Sequence, residues 1–144
     1  MRIIFVRHGE SEGNVQGKIQ GREDYRLSIT GICQAERLKK FFSKQMISVT
    51  HLYSSPLIRA VQTAEILSGL WKVQIKIEPG LQEYDMGRLS GVDKATLKEK
   101  IPEVRKHQRD SRNEYFDRIQ PKNLLGIEAF SEARKRAQST MGIF

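Results

Sequence analysis

The sequence IIFVRHG at residues 3–9 decides the fold class, because it joins an apolar run to a charged turn that contains glycine. The run Ile3–Val6 holds only apolar side chains that favour β-structure, which is typical of a strand buried on both faces of a parallel sheet. Ligand sites of open α/β sheets lie at the carboxyl ends of their strands. We therefore predict a first core strand over Ile3–Val6 and a candidate site at the Arg7-His8-Gly9 turn.

Two further strands are predicted downstream of this turn. Val49–Tyr53 is a short run that favours β-structure, and alternating apolar residues predict a third strand over Val73–Ile77, which ends at Pro79-Gly80. Helical patterns separate these strands, and strands that alternate with helices favour a mainly parallel sheet. The predicted fold class is therefore α/β, with three layers in which helices cover both faces of the sheet.

Three helices are predicted from apolar residues at spacings of three and four. Thr30 is the predicted cap of the first helix, and Ser55-Pro56 supplies the predicted cap and first position of the second. The last helix is predicted to start near Glu128. Because no repeat or linker interrupts the pattern, we predict one domain over residues 1–144.

The composition is that of an ordinary globular chain, with 38% hydrophobic and 29% charged residues among 144. These fractions argue against a disordered chain. No apolar run approaches the roughly 20 residues that cross a bilayer, so no membrane partner is expected. The single cysteine, Cys33, can form neither an internal disulfide nor a zinc site by itself. A cytoplasmic location is therefore expected.

The net charge of +8 suggests an anionic partner. Neither a nucleic-acid-binding module nor a series of interleaved aromatic residues is visible, so nucleic acid is not an expected partner. A small phosphorylated substrate, held by a few arginines, fits the charge better. Many basic residues lie instead in polar stretches that are typical of solvated helix faces. These are Lys39, Lys40, Lys44, Lys98, Lys100, Arg105, Lys106, Arg109 and Arg112.

The predicted strand ends carry side chains that suit phosphoryl transfer. Arg7 offers a bidentate fork for phosphate oxygens, and His8 titrates near neutral pH, where it can act as a nucleophile or base. Arg59 lies in the first turn of a predicted helix, where backbone amides also favour an anion. Glu83 follows the third strand and can donate or accept a proton. This set suits transfer through a histidine without a metal or a cofactor.

Each of these residues also has a purely structural interpretation. A histidine at a strand end is often just hydrogen-bonded within the fold, as His8 could be. Arg59 could lie on the surface, and Glu83 could be an ordinary loop carboxylate. Their joint placement at the strand ends favours the functional interpretation.

Five groups of residues extend the pattern over nearly the whole chain. They are Phe5-Val6-Arg7-His8-Gly9-Glu10-Ser11 with Asn14; Gln20-Gly21, Asp24, Leu27, Thr30-Gly31 and Gln34-Ala35; Tyr53-Ser54-Ser55-Pro56-Leu57, Arg59-Ala60 and Gln62-Thr63-Ala64; Leu81, Glu83, Gly87 and Gly91; and, more weakly, Gly126, Glu128 and Arg136. In this order they resemble the histidine phosphatase superfamily, also called phosphoglycerate mutase-like. The resemblance implies that superfamily's three-layer α/β fold.

The resemblance also implies roles for individual side chains. His8 would be the nucleophile that becomes phosphohistidine, while Arg7 and Arg59 would bind the phosphoryl oxygens and stabilise their charge. Glu83 would protonate the leaving oxygen and then activate the water that hydrolyses the intermediate. Asn14 would be a further phosphate contact.

Four other matching positions are implied to act less directly. Gln20 and Gly21 lie on the loop that borders the substrate in the family. Gln34 and Gln62 are expected to serve helix packing or hydrogen bonding rather than catalysis.

The sequence departs from the family because it lacks a second essential histidine. The family carries that residue in a Ser-His-Gly type motif after another core strand. His51 falls within the match around the second strand, and His107 is not followed by glycine. The resemblance therefore predicts a domain that is incomplete at its C-terminus and lacks the last core strand. Such a domain is expected to self-associate through an exposed sheet edge.

Three functions remain open on this basis. The first is a phosphatase of small phosphorylated metabolites, impaired by the loss of the second histidine. The second is a phosphoglycerate mutase, which is less favoured because Leu81–Gly87 lacks the Arg-His-Tyr-Gly sequence of typical mutases. The stretch between Gly91 and Gly126 is also short for the mutase insertion. The third is a noncatalytic remnant that binds phosphate or a partner.

Overall fold

The computed structural model describes residues 2–96 and 126–142. Two short 3₁₀ turns, Pro79–Leu81 and Gly87–Leu89, flank the segment that carries Glu83. The helices and strands in chain order are α1 (Glu12–Val15), α2 (Ile29–Lys44), β1 (Leu52–Ser54), α3 (Ile58–Trp71), β2 (Ile75–Ile77) and α4 (Phe130–Met141).

Strands β1 and β2 form a parallel pair, with Leu52 opposite Ile75 and Ser54 opposite Ile77. Helix α3 connects the two strands, packs on both, and also packs against α2. Both strands are shorter than predicted, since neither Val49 nor Val73 is part of the ladder. The strand–helix–strand unit nevertheless confirms the α/β fold class.

Helix α2 begins two residues earlier than its predicted cap implies. The cap is Ser28, whose hydroxyl accepts a hydrogen bond from the Gly31 amide at 3.0 Å, while Thr30 is already helical. A side-chain oxygen at the N-cap satisfies one of the unpaired amides of the first turn. The prediction of Thr30 as the cap is therefore wrong. Farther along α2, Phe42 is buried, and its ring centroid lies 5.5 Å from that of Trp71.

Helix α3 is capped by a different part of the chain than predicted. Its N-cap position is Leu57, so the predicted Ser55 cap is wrong, although the Ser55 hydroxyl accepts from the Leu57 amide at 3.3 Å. The Ile58 amide instead donates to the Asp24 carboxylate at 2.6 Å. A negative charge there also complements the helix dipole. This start leaves Arg59 in the first turn, as predicted.

The predicted buried strand over Ile3–Val6 is wrong. These residues are outside any strand, and the Phe5 side chain is 73% exposed. A strand is buried and hydrogen-bonded only when neighbouring strands lie beside it. Within residues 2–96 and 126–142, the only sheet is the β1–β2 pair. The segment instead lines an open cavity of about 1180 Å³ together with residues of β1 and α3.

The last helix starts close to its predicted position. Helix α4 begins at Phe130, two residues after Glu128, and its Thr140 side chain is buried against Gly80. The predictions for Lys98 and His107 lie outside the described residues. None of the described helices is both long and apolar enough to cross a membrane.

Candidate functional site

A pocket of about 220 Å³ contains all of the predicted site residues. It lies where the turn after Ile3–Val6, the start of α3 and the segment after β2 meet. This convergence is what the strand-end rule predicts for an α/β sheet. The pocket is lined by Arg7, His8, Asn14, Lys18, Ile19, Gln20, Gly21, Arg59, Glu83, Met86 and Lys94.

The imidazole of His8 is held by hydrogen bonds at both ring nitrogens. Its Nδ1 lies 2.6 Å from the Gly9 carbonyl oxygen, and its Nε2 lies 3.3 Å from Nε of Arg59. A guanidinium N–H can only donate, so Nε2 of His8 accepts and the proton lies on Nδ1. The lone pair of Nε2 therefore points towards Arg59 in the pocket. The structural interpretation of His8 is correct for Nδ1, and it leaves Nε2 in the form that a nucleophile needs.

The surroundings of His8 lower its pKa below the ordinary value of 6.5. Partial burial is the largest cause, and the charges of Arg59 and Arg7 act in the same direction. The hydrogen bond to Gly9 and the charge of Glu83 oppose the shift without cancelling it. The ring is therefore neutral at neutral pH, since burial and nearby cations both disfavour its charged form.

This lowered pKa predicts that mild acid destabilises the fold. The unfolded chain takes up a proton on His8 near the ordinary value of 6.5, whereas the folded chain resists it. The free energy of unfolding is therefore expected to fall as the pH drops below that value, and to fall less in His8→Asn. Denaturant melts at about pH 7.5 and about pH 5.5 measure the difference, with His51→Asn at an exposed position as the control. The same pH dependence in His8→Asn and the parent chain would contradict this environment for His8.

Arg59 is the most deeply buried of the site residues, with 1% of its surface exposed. Besides Nε on His8, its Nη1 donates to the Glu23 carbonyl and its Nη2 to the Gly21 carbonyl, each at 2.8 Å. Burial lowers the pKa of Arg59, although the charges of Glu83 and Asp24 oppose that shift. The surface interpretation of Arg59 is thus wrong, because the side chain is buried and joins the loop at Gly21 and Glu23 to His8.

Gly9 has a packing role that the sequence did not indicate. A Cβ atom there would collide with the backbone of Gly31 at the start of α2, so both positions require a small residue. The Gly9 amide also donates to the Thr63 hydroxyl at 3.2 Å, and that hydroxyl donates to the Arg59 carbonyl at 2.8 Å. The turn that carries His8 is thereby fixed between α2 and α3.

The side chains of Asn14 and Gln20 meet at the buried hydroxyl of Ser11. Asn14 forms a capping box with Ser11, in which its Oδ1 accepts from the Ser11 amide at 3.0 Å. The Ser11 hydroxyl donates to Oε1 of Gln20 at 2.6 Å. Both amide oxygens are therefore turned to Ser11, and the NH₂ groups are the ends available to donate to an anion in the pocket.

Glu83 lies at the pocket on an exposed stretch of loop. Its Oε1 accepts from the adjacent Tyr84 amide at 2.9 Å, and its carbonyl oxygen accepts from Nε of Arg22 at 3.3 Å. Its charge acts on both His8 and Arg59, as their pKa shifts show. The structure thus brings a carboxylate to the same pocket as the two cations and the imidazole.

Four pocket residues were not identified from the sequence, namely Lys18, Ile19, Met86 and Lys94, and two of them are cationic. Lys18 and Lys94 lie at the pocket because their chain segments pair through the backbone. Lys18 and Asp93 form an isolated antiparallel β-bridge, and the Lys94 amide donates to the Gly17 carbonyl at 3.0 Å. Only the proximity of Lys18 to Gln20 in sequence could have indicated one of them. With Arg7 and Arg59 they make the pocket strongly cationic, which favours an anionic ligand.

No group of three or more His, Cys, Asp or Glu side chains that could hold a metal ion occurs in the part of the chain that the structure describes. The pocket supplies cationic and amide groups instead.

Fold and site together define an α/β protein with a cationic pocket around a neutral histidine, to which the start of α3 and the segment after β2 contribute. The chain belongs to the histidine phosphatase superfamily (branch 1), whose family model matches residues 3–142.

Two curated relatives illustrate the similarity in sequence. The "Probable phosphoglycerate mutase GpmB" of Proteus mirabilis is 38% identical over 97 residues, which cover 67% of this chain and 44% of the relative. The "Probable 2-carboxy-D-arabinitol-1-phosphatase" of Arabidopsis thaliana is 36% identical over 135 residues, which cover 90% of this chain and 27% of the relative. Across the curated relatives it matches, the chain spans between 27% and 61% of their length.

Solved structures show the same fold. Bacillus stearothermophilus YhfR aligns with a TM-score of 0.79 at 27% identity, over 95% of this chain and 63% of that one. A protein described as mycobacterial hydrolase 1 aligns with a TM-score of 0.77 at 24% identity, over 94% and 61% of the two chains. These matches confirm the predicted phosphoglycerate mutase-like α/β fold.

Proposed function

We propose that the chain is a phosphatase that hydrolyses small phosphomonoesters through a phosphohistidine on His8. The observation that carries this proposal is the state of the His8 ring. It is neutral, its proton lies on Nδ1, and its Nε2 lone pair is directed into a cationic pocket. A nucleophile of this kind needs no metal to attack phosphorus.

The chemistry divides into two balanced steps. In the first, Nε2 of His8 attacks phosphorus, the bond from phosphorus to the ester oxygen breaks, and protonated Glu83 gives its proton to the leaving alcohol. In the second, a water molecule attacks phosphorus while the Glu83 carboxylate takes the water proton. The bond between phosphorus and Nε2 then breaks, which releases phosphate and restores His8.

The cationic side chains act on the charge of the phosphoryl group. Arg7 and Arg59 bind its oxygens, and the Asn14 amide adds a neutral donor. Such preorganised donors stabilise the charge that the oxygens carry during transfer. Lys18 and Lys94 widen the cationic surface at the pocket, which supports a substrate that is anionic and small.

A phosphoglycerate mutase-type transfer is the second candidate, because several relatives carry that name. The two functions differ in the acceptor of the phosphoryl group, which is water for a phosphatase and a second substrate for a mutase. Release of inorganic phosphate from a phosphomonoester, together with an acid-labile phosphoenzyme, tests the phosphatase directly. If no phosphomonoester yields either inorganic phosphate or the phosphoenzyme, a noncatalytic phosphate-binding domain is the remaining interpretation.

We further propose that the protein works in the cytoplasm.

Arg59→Ala is expected to weaken binding of phosphate or orthovanadate by about ten- to a hundredfold. The reason is the loss of a charge-assisted hydrogen bond to the anion, which contributes about 1.5–3 kcal/mol. Arg59→Lys keeps the charge but loses the planar fork, so its affinity for the anion is expected to lie between those of the parent chain and Arg59→Ala. Titration calorimetry measures the affinities.

Lys40→Ala is the control for this series, because Lys40 is exposed on α2 and is not one of the residues that line the pocket. A thermal melt of each variant shows that the fold persists. Equal losses of affinity in Arg59→Ala and Lys40→Ala would contradict the placement of Arg59 in the phosphate site.

A further inference from the structure

A buried carboxylate lies behind the loop that carries Glu83. The Glu128 side chain is 8% exposed, and its oxygens accept four hydrogen bonds. Nε and Nη2 of Arg136 donate at 3.1 and 2.9 Å, Nη2 of Arg22 at 3.0 Å, and the Asp85 amide at 3.2 Å. A carboxylate has about four acceptor positions, so these contacts use its full capacity.

The same arginines hold the loop backbone before and at Glu83, and Glu128 itself holds the backbone after it. Nη1 of Arg136 donates to the carbonyls of Gly80 and Gln82, each at 2.8 Å. Nε of Arg22 donates to the carbonyl of Glu83 itself at 3.3 Å. On the far side, the Glu128 amide donates to the Asp85 carbonyl at 2.9 Å. Four carbonyl groups of the loop thus accept hydrogen bonds from Arg136, Arg22 or Glu128.

The charge state of Glu128 suits this arrangement. Burial by itself would raise its pKa, but the hydrogen bonds from Arg136 and Asp85 and the charges of Arg136 and Arg22 outweigh that effect. The pKa of Glu128 is therefore lowered, and the group is ionised at neutral pH. An ionised carboxylate in a bidentate pair with arginine holds both partners in one plane and one orientation.

We infer that Glu128 and Arg136 are positioning residues that hold Glu83 where it can protonate the leaving oxygen. The three residues Glu128, Arg136 and Arg22 are called the Glu128 clamp. The inference rests on the proposed function, because it gives Glu83 its role there. Arg22 extends the clamp to the substrate loop, since its neighbour Gly21 accepts from Arg59. The clamp therefore links the acid, the loop and the phosphate-binding arginine. A misplacement of about 1 Å in such a group can lower a rate by about 10²-fold.

Glu128→Gln tests the clamp, because it removes the charge and keeps the shape. We expect single-turnover phosphorylation of His8 by alkyl phosphates to slow by about ten- to a hundredfold. Phosphorylation by aryl phosphates with acidic leaving groups is expected to slow by less than about threefold, because those groups leave without a proton. Arg134→Gln, at an exposed position on α4, is the matched control. Equal losses for alkyl and aryl substrates would overturn the inference, since a general loss of structure affects both.

Amide hydrogen exchange tests the clamp without reference to activity. In Glu128→Gln, the amides between Gly80 and Asp85 are expected to exchange at least about tenfold faster, while those of α3 remain unchanged. Unchanged exchange in the loop would overturn the clamp even if the chain proved inactive. If the parent chain forms no phosphohistidine from any phosphomonoester, the proposed function fails, and exchange alone decides on the clamp. Should Glu128→Gln not fold, Arg136→Lys carries both measurements, because it keeps the charge and loses the fork.

Discussion

His8→Ala is expected to abolish the acid-labile phosphoenzyme that forms when the chain reacts with a chromogenic aryl phosphate. Without the imidazole there is no atom at the centre of the pocket that can accept the phosphoryl group. The loss should be on the order of 10³-fold or more, because removal of a nucleophile eliminates the covalent route. Peptide mapping of the phosphorylated chain at alkaline pH should place the label on the peptide that contains His8.

The other two histidines are the controls for this experiment. His51 is exposed, and its Nδ1 is paired with the Thr50 hydroxyl at 3.0 Å, so His51→Ala should leave the label in place. His107→Ala should do the same. Label that persists in His8→Ala, or that maps to either of the other two histidines, would refute the assignment of His8.

The order of elements was predictable because it depends on local periodicity. Both long helices form where apolar residues recur at helical spacing, and they bury part of each predicted face: Ala35 and Phe42 in α2, and Ala64 and Leu67 in α3. Their exact starts were not predictable in the same way. Helix α3 begins where Asp24 accepts from its first amide, a contact across 34 residues of sequence that no local pattern contains.

The first predicted strand, Ile3–Val6, does not form, and the reason is different. The run Ile3–Val6 has the composition of a buried strand, but a strand also needs neighbours that its own sequence does not specify. Composition therefore indicated what the segment could form, and the rest of the described chain does not supply the neighbours.

The grouping of the candidate site residues was largely predictable, because the sequence placed each of them after a predicted strand, although the first of those strands does not form. The rule that sites lie at the carboxyl ends of parallel strands predicts His8, Arg59 and Glu83 at one place, and all three line the pocket. It could not identify Lys94, which reaches the pocket through backbone pairing with Gly17, or the role of Glu128, which acts across 106 residues on Arg22. Contacts of this range arise from tertiary packing alone.

The open cavity beside Ile3–Val6 leads to the second large expected effect. It has a volume of about 1180 Å³, larger than the roughly 300–1,000 Å³ of ordinary small-molecule pockets. Apolar side chains of the segment remain exposed along it, with Ile3 at 40% and Phe5 at 73%. We propose that the 144-residue chain self-associates through this surface, because a large exposed apolar surface favours association with another chain. We expect it to bind a hydrophobic dye and to turn over slowly.

Comparison of Phe5→Glu with Phe41→Glu distinguishes self-association through the cavity from self-association through exposed apolar side chains in general. Both phenylalanines are exposed: Phe5 lines the cavity, whereas Phe41, at 53%, lies on α2 and is not part of the cavity lining. Phe5→Glu should reduce dye fluorescence and shift the chain towards the monomer in sedimentation, since a charge on an open edge blocks pairing. Phe41→Glu should change neither measurement. Equal effects of the two substitutions would contradict a role for the cavity.

Joining the C-terminal strand and helix of a full-length relative to the chain is expected to raise turnover by about 10²–10³-fold. The resemblance to the superfamily implies that this added segment brings a second histidine beside the phosphoryl group, and one preorganised donor contributes about that factor. A strand placed beside Ile3–Val6 would also cover its apolar side chains, so dye binding and self-association should decrease in the same protein. Replacing the added histidine with alanine separates the two effects, because it should lose the gain in turnover and keep the gain in solubility. A 144-residue chain that is monomeric, binds no dye and already turns over at an ordinary rate of roughly 1–10³ per second would contradict the whole account of the cavity.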